Sequence, residues 1–288
     1  MKHLGRGMKM DANEERYLSA YRMEDYDRPS VTTDIVAFTV RSEEDESWRR
    51  DSKDNRLSVL LIQRGEHPFI NHWAIPGGFL RMDETLEECA LREIREETGV
   101  NPVSIMPAGT FSACGRDPRG RVISNAFTTI ISEESARLMA SDDAVDAKWF
   151  DVYYERNEAE AYVLKLVGEN VTLEAKLEAK GKQFGRTVFG IVDSGGLAFD
   201  HAVILASALE TLRDKAESFE VIFDFLPEKF TLTALQKVQE TILNVSLLPA
   251  NFRRKIADYV VETDEYTAGA GHRPAKLYRR KETENRKW

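Results

Sequence analysis

Three glutamates stand close enough in sequence to share one chemical task. In GFLRMDETLEECALREIREETGV, residues 78–100, Glu93, Glu96 and Glu97 fall within an arc of about 100° on a helix turning about 100° per residue. Carboxylates gathered in this way repel one another. A divalent cation relieves the repulsion, because hard cations take oxygen ligands, and Mg²⁺ is commonly held by a few carboxylates plus substrate phosphates. Gly77 and Gly78, just ahead, let the backbone approach a ligand closely. Arg92 can orient the carboxylates through charge-assisted hydrogen bonds. The plain alternative is a surface helix with Glu and Arg in ordinary i,i+4 pairs.

The whole segment matches G-x5-E-x7-R-E-U-x-E-E-x-G-U, with U an aliphatic residue, through Gly78, Glu84, Arg92, Glu93, Ile94, Glu96, Glu97, Gly99 and Val100. At average residue usage, a chance match somewhere in the chain is of order 10⁻⁷. The pattern resembles the signature of the Nudix family. That resemblance implies an α/β/α sandwich, hydrolysis of a nucleoside diphosphate linked to another moiety, and Mg²⁺ or Mn²⁺ as cofactor. It makes Glu93, Glu96 and Glu97 the metal-binding positions, with Glu84 and Arg92 completing the catalytic set by shaping the loop and supporting the carboxylates. Metals in such a site neutralise the pyrophosphate and activate a water. The base is either a box glutamate or an acid from a loop outside it. Asp142 and Asp143, in SDDAVDAKWF, are candidates for the second case, with a solvated acidic turn as the other reading of each.

Flanking stretches narrow the ligand. LLIQRGEHPF, WAIPGGF, GRDPRGRVIS, DDAVDAKWF and LAFDH resemble the ADP-ribose-recognising branch of the Nudix proteins. Arg64, Arg81, Arg116, Arg119 and Arg121 could pair bidentately with phosphate, or simply be solvated. Gly77 and Gly78 would line the ligand. Phe79 or Trp73 could stack on adenine or ribose, or could anchor the core or a loop. ADP-ribose or a related nucleotide is the expected ligand.

The elements that must position these residues follow from pattern. VTTDIVAFTV (31–40) and RLSVLLIQR (56–64) read as strands, joined by a charged connector, 41–55. PFINHWAIPGGF (68–79) reads as a loop. A helix follows, with Asp83 as its expected N-cap and Gly99 as its C-cap. Strand-like runs come around 103–114, 121–132, 146–150, 162–167, 170–177 and 186–192. A long helix spans about Asp200 to Phe219, with Ile204, Ala208 and Leu212 on one face. The result is an α+β chain: a Nudix sandwich with a mixed sheet, then a different C-terminal unit. The resemblance to ADP-ribose-type Nudix proteins, many of which dimerise there, implies that the extra strands beyond residue 155 could form a dimer interface.

That C-terminal unit has its own pattern. FTLTALQKVQETIL (230–243) places Leu235, Val238 and Ile242 on one face; PANFRRKIADYV (249–260) does the same with Phe252, Ile256 and Val260, leaving Arg253 and Arg254 elsewhere. VVET (260–263) and AKLYRRK (275–281) bracket a Gly-containing loop. Helix, turn, basic helix and hairpin is the layout of a winged helix-turn-helix, whose second helix enters the DNA major groove. Asn251, Arg253, Arg254 and Lys255 suit base edges and phosphates, and Arg273, Lys276, Arg279 and Arg280 would line the wing. This unit resembles the C-terminal domain of NrtR-type Nudix-related transcriptional regulators, which implies a double-stranded operator as partner. The other reading is a dimerising or protein-binding winged domain. The expected organisation is a leader over 1–29, a Nudix domain over 30–225 and a winged helix over 226–288.

Composition agrees. The chain has 288 residues, 42% hydrophobic and 31% charged, enough for a sizeable core and too apolar for a disordered chain. It has no apolar run of about 18 residues and no signal-peptide stretch at its start, so no membrane partner is expected. Two cysteines, Cys89 and Cys114, are too few for a disulfide framework or a cysteine zinc site, which suggests a reduced, cytoplasmic compartment. The formal charge of −9 divides unevenly. Residues 226–288 hold 12 Lys and Arg against 8 Asp and Glu, and residues 1–225 hold 28 against 41. An acidic body with a basic tail piece suggests two parts with different partners. Three functions follow: a hydrolase fused to a DNA-binding domain, an ADP-ribose-sensing repressor without turnover, or an enzyme whose C-terminal domain only assembles a homodimer. The intact box favours retained hydrolysis.

Overall fold

The computed structural model describes residues 11–42, 55–102, 104–140, 147–157, 161–183, 185–267 and 274–281. One mixed sheet is built from β1 (Ser30–Ser42), β2 (Asn55–Gln63), β3 (Trp73–Ala74), β4 (Gly77–Phe79), β5 (Met106–Phe111), β6 (Val122–Ile130), β7 (Ala147–Arg156), β8 (Ala161–Val167), β9 (Thr172–Gln183) and β10 (Arg186–Asp193). Its order is β10-β9-β8-β7-β2-β1-β6-β5, with β3 beside β2 and β4 beside β1. Among the described residues β1 and β6 pair in parallel, Ile35 opposite Phe127, and the other strand pairs are antiparallel. The helices are α1 (Ala12–Ala20), α2 (Leu86–Thr98), α3 (Glu133–Ala140), α4 (His201–Glu217), α5 (Leu232–Leu243) and α6 (Pro249–Ile256). None among the described residues is long and apolar enough to cross a membrane.

β1 shows how the layers form. Successive side chains point to opposite faces. Ile35 and Ala37 pack with Ala90 and Ile94 of α2 and Ala136 of α3. Val36, Phe38 and Val40 face the other way, into the cluster that holds Ile204, Ala208 and Leu212 of α4. Both faces of the strand are covered, so its sequence is an apolar run rather than an alternation. The result is helix, sheet, helix, as the Nudix resemblance implies.

Several boundaries differ from the sequence reading. The N-cap of α2 is Thr85, not Asp83: Thr85 Oγ1 accepts from Glu88 N–H and the Glu88 carboxylate accepts from Thr85 N–H, a reciprocal box that Asp83 is not placed to make. Gly99 does close the helix, at φ 71. The stretch 68–79 is not all loop. It carries β3 and β4, two- and three-residue strands held by main-chain bonds to β2 and β1, too short to show a period. α3 occupies residues 133–140, a stretch to which the sequence reading assigns no element.

A second, smaller sheet lies toward the C-terminal end. β11 (Lys229–Phe230), β12 (Val260–Tyr266) and β13 (Lys276–Arg280) make a sheet in the order β11-β13-β12. The α5–α6 corner is stapled by side chains: Glu240 Oε1 accepts from Leu247 N–H at 2.7 Å, and Gln236 Nε2 donates to Leu247 O at 2.9 Å. The second helix is shorter than 249–260. It ends at Ile256 and tightens into a 3-10 turn over Ala257–Tyr259, and Val260 opens β12 instead of extending the helix face. Leu235, Val238, Ile242, Phe252 and Ile256 belong to the same continuous core as α4. The winged unit is therefore docked on the sandwich, with α5 lying against α4.

Candidate functional site

Arg92 is the hub of the glutamate helix. Its Nε and Nη2 donate to the two oxygens of Glu84 at 2.9 and 2.6 Å. Its Nη1 donates to Glu93 Oε1 at 2.6 Å and Glu96 Oε2 at 3.2 Å. Glu84 also accepts from Arg81 N–H at 2.8 Å, which folds the loop before α2 back onto the helix. The Arg92 hydrogen bonds hold the Glu84 carboxyl down to about 2. Glu96 is half exposed and shared between Arg92 and the Arg81 guanidinium, 3.6 Å away.

Glu97 lies deeper, and Gly77 N–H donates to its Oε2 at 2.8 Å. Burial pushes its carboxyl up to about 7; Glu93 and Asp34 add to the rise, while the Gly77 bond and Arg64 oppose it. The two glycines fit tightly. A Cβ on Gly77 would lie 2.2 Å from Thr33 O, and one on Gly78 would lie 2.3 Å from Glu93 Oε1. Among the described residues no three acidic, His or Cys side chains already converge as a metal cluster. Arg92 holds Glu93 and Glu96 while Glu97 leans toward Gly77.

Beside Glu97 sits a cationic cluster on aromatic faces. The guanidinium carbon of Arg64 is 4.9 Å from the Phe199 ring centroid, and that of Arg119 is 5.0 Å from Phe79 and 5.5 Å from Phe199. Arg64 is anchored by donating to Pro68 O at 2.8 Å, and Arg119 by Asp117 through Nε and Nη2 at 3.0 and 2.7 Å. Burial and the nearby Arg119 charge pull the Arg64 pKa down. Two cations held this close favour an anion between them.

The other arginines are placed differently. Arg116 points inward, its side chain 5% exposed, and pairs bidentately with Asp200 at 2.9 and 2.6 Å, with Asp34 at 3.7 Å. Arg121 donates to Ser112 O at 2.7 Å. Trp73 is buried, edge-on to Phe150 at 4.8 Å, so it is a core anchor, whereas Phe79 is exposed. Asp142 and Asp143 lie outside the described residues. Asp34, Asp117, Phe199, Asp200 and His201 also surround this region; the stretches GRDPRGRVIS and LAFDH hold the last four, but the sequence assigns none of the five a role. Asp34 had a signal: a carboxylate inside an apolar strand is rarely buried without a partner. Its partner is Ser124 Oγ.

On the winged unit, Asn251, Arg253, Arg254 and Lys255 are exposed on α6, while Phe252 and Ile256 are buried. Lys276 turns across the hairpin to Glu262 at 2.6 Å. Arg280 lies over the Phe223 ring at 4.8 Å and reaches Asp224 at 3.4 Å, facing the body of the unit rather than the wing surface. Arg279 is exposed, and Arg273 lies outside the described residues.

Residues 48–161 match the NUDIX domain family, and residues 222–280 match the NrtR DNA-binding winged helix domain. A protein of Acinetobacter baylyi named ADPR responsive transcriptional repressor NtrR is 30% identical over 271 residues, spanning 93% of this chain and 88% of that protein. The chain belongs to the NrtR family. This NrtR-family chain also resembles the ADP-ribose pyrophosphatase of Methanocaldococcus jannaschii, 39% identical over 138 residues, or 48% of the chain and 70% of that enzyme. Its fold is similar to that of Shewanella oneidensis NrtR crystallised with a 27mer DNA. The TM-score is 0.59 at 30% identity, covering 87% of this chain and 93% of that one.

Proposed function

We propose that the Nudix domain binds ADP-ribose or a related nucleoside diphosphate derivative with Mg²⁺ or Mn²⁺ and hydrolyses it, and that the winged helix binds double-stranded operator DNA. Ligand in the first site then biases occupancy of the second. The observation that carries this reading is the complete carboxylate set on α2, tied by Arg92 and Gly77 beside the Arg64–Arg119–Phe199 cluster. The Methanocaldococcus jannaschii enzyme supports the substrate class, and the Shewanella oneidensis complex supports the DNA partner.

The donor set fits a hard cation. Glu93, Glu96 and Glu97 offer only oxygens, and the Glu97 carboxyl, raised first by burial and then by the Glu93 and Asp34 charges, is one whose ionised form a cation would favour. Bound there, the cation would neutralise pyrophosphate oxygens and lower the pKa of a water for attack on phosphorus. Arg64 and Arg119 would pair with phosphate oxygens, and Phe79 and Phe199 would give the base or ribose an apolar face. Arg116 acts from behind, by fixing Asp200. Asp142 and Asp143 are the candidate bases outside the box. Asn251, Arg253, Arg254 and Lys255 would meet the DNA. The proposed division is 30–225 and 226–288, in a cytoplasmic homodimer.

The repressor relative favours a second reading, ligand sensing without turnover. Incubation with ADP-ribose and Mg²⁺, followed for AMP and ribose 5-phosphate, separates the two. Turnover is expected; tight binding without turnover would leave the sensor.

A further inference from the structure

We infer that His201, the first residue of α4, is a positioning residue for Glu97: its imidazole fixes the 75–77 turn whose Gly77 N–H holds that carboxylate. The inference rests on the reading of Glu97 as a cation ligand.

The argument follows the main chain. Trp73 bridges in parallel to Leu197, with Trp73 N–H donating to Gly196 O at 3.1 Å and Ala198 N–H donating to Trp73 O at 2.8 Å. The next rung of a parallel ladder would run from Ile75 N–H to Ala198 O. Ala198 O is engaged instead by the N–H of His201, at 3.1 Å, where the chain turns into α4. The Ile75 N–H is buried and must find another acceptor. It donates to His201 Nδ1 at 2.9 Å, so a side chain takes the place of the missing main-chain rung.

Two further bonds carry the constraint to the carboxylate. Pro76 O accepts from Ile35 N–H at 2.8 Å, and Gly77 N–H donates to Glu97 Oε2 at 2.8 Å. Three consecutive residues are thus pinned to α4, β1 and α2 in turn. An accepting Nδ1 puts the imidazole proton on Nε2, which faces Asp34 Oδ1 at 3.7 Å. Asp200, Arg116, Arg64 and Asp117 also act on the ring, and complete burial drives its pKa down to about 3, so the acceptor persists through neutral pH. Catalytic constellations lose function when a supporting residue is lost, although it touches no ligand.

The test compares His201→Leu, which removes the acceptor at similar volume, with His201→Asn, whose Oδ1 can overlay Nδ1. Mn²⁺ binding to the full chain is read by the free-ion electron paramagnetic resonance signal, and ADP-ribose turnover is split into kcat and KM. Leu is expected to weaken Mn²⁺ binding by about tenfold and to lower kcat with KM nearly unchanged. Asn is expected to restore both to within about threefold of wild type. A folded Leu variant with wild-type Mn²⁺ affinity, or an Asn variant as weak as Leu, overturns the inference. If Leu does not fold, histidine-labelled ¹⁵N spectra of the wild type decide: an unprotonated Nδ1 hydrogen-bonded to Ile75 N–H from pH 5 to 8 supports the assignment, and a protonated one ends it. Failure of wild type itself to bind Mn²⁺ would instead remove the reading of Glu97, while the spectra still judge the His201 bond.

Discussion

Gln239 Nε2 donates to Ala216 O at 2.8 Å, and Gln239 is 4% exposed. The bond joins the middle of α5 to the last turn of α4, and Arg213, one turn earlier on α4, donates to Ile242 O at 3.3 Å. The opposite end of α4 carries Asp200 and His201 at the Nudix site. One helix about 24 Å long therefore touches both regions. Gln239→Leu should remove this bond and leave Ala216 O with the 3.3 Å donation from Phe219 N–H, at a cost of about 0.5–1.5 kcal/mol, read as a lower Tm. Binding of ADP-ribose and of DNA, each measured alone, should change little. The fold-change that ADP-ribose causes in DNA affinity should shrink several-fold, and an undiminished fold-change would show that this junction does not carry the coupling.

Glu97 should make cation binding depend on pH. Its carboxyl sits at about 7, so below that value a proton competes with the cation. Affinity for Mg²⁺ should rise as pH increases through 7, with proton release on binding that calorimetry in buffers of different ionisation heat can count. The sign for stability is opposite. A carboxyl raised above its unfolded value favours the fold least at high pH, so the cation-free protein should lose stability between about pH 4.5 and 7, and Mg²⁺ should restore it. Glu97→Gln should remove both effects and lower turnover by orders of magnitude.

The neighbouring glycines should fail differently. Gly77→Ala drives a Cβ to 2.2 Å from the Thr33 carbonyl, which is backbone and cannot step aside. It should destabilise the protein by about 1–3 kcal/mol and weaken cation binding together. Gly78→Ala meets the tip of the Glu93 side chain, which can rotate. Tm should stay within a few degrees of wild type while Mn²⁺ affinity changes.

Arginines that look alike in the sequence should separate on mutation. Arg116→Ala leaves buried Asp34 and half-buried Asp200 without their cation, and about 3–5 kcal/mol of stability should be lost. Arg64→Ala and Arg119→Ala, at the partly exposed aromatic cluster, should instead weaken ADP-ribose binding with a much smaller loss of Tm. Denaturant titration and calorimetry on the three variants test this. Equal stability loss in all three would mean that the cluster is structural.

The exposed cations of α6 should act on DNA alone. Arg253→Ala and Arg254→Ala should each weaken operator binding by about tenfold and flatten its salt dependence, with turnover of ADP-ribose unchanged. Gel shifts at two salt concentrations read both effects, and an intact shift would move the recognition surface elsewhere.

What the sequence determined by itself is what lies within a few residues along the chain. Arg92, Glu93, Glu96 and Glu97 share a face because a helix places i, i+3 and i+4 together, and Gly99 marks the end because it tolerates φ 71. The apolar faces of α4, α5 and α6 are legible for the same reason. The tertiary structure decided what depends on contacts between distant segments. The bond from Ile75 to His201 spans 126 residues, and that from Arg116 to Asp200 spans 84. No local period records either one, so Arg116 could not be told from Arg64 and Arg119 in the sequence. Burial and a partner from another element turned one arginine inward, and the faces of Phe79 and Phe199 held the other two beside Glu97.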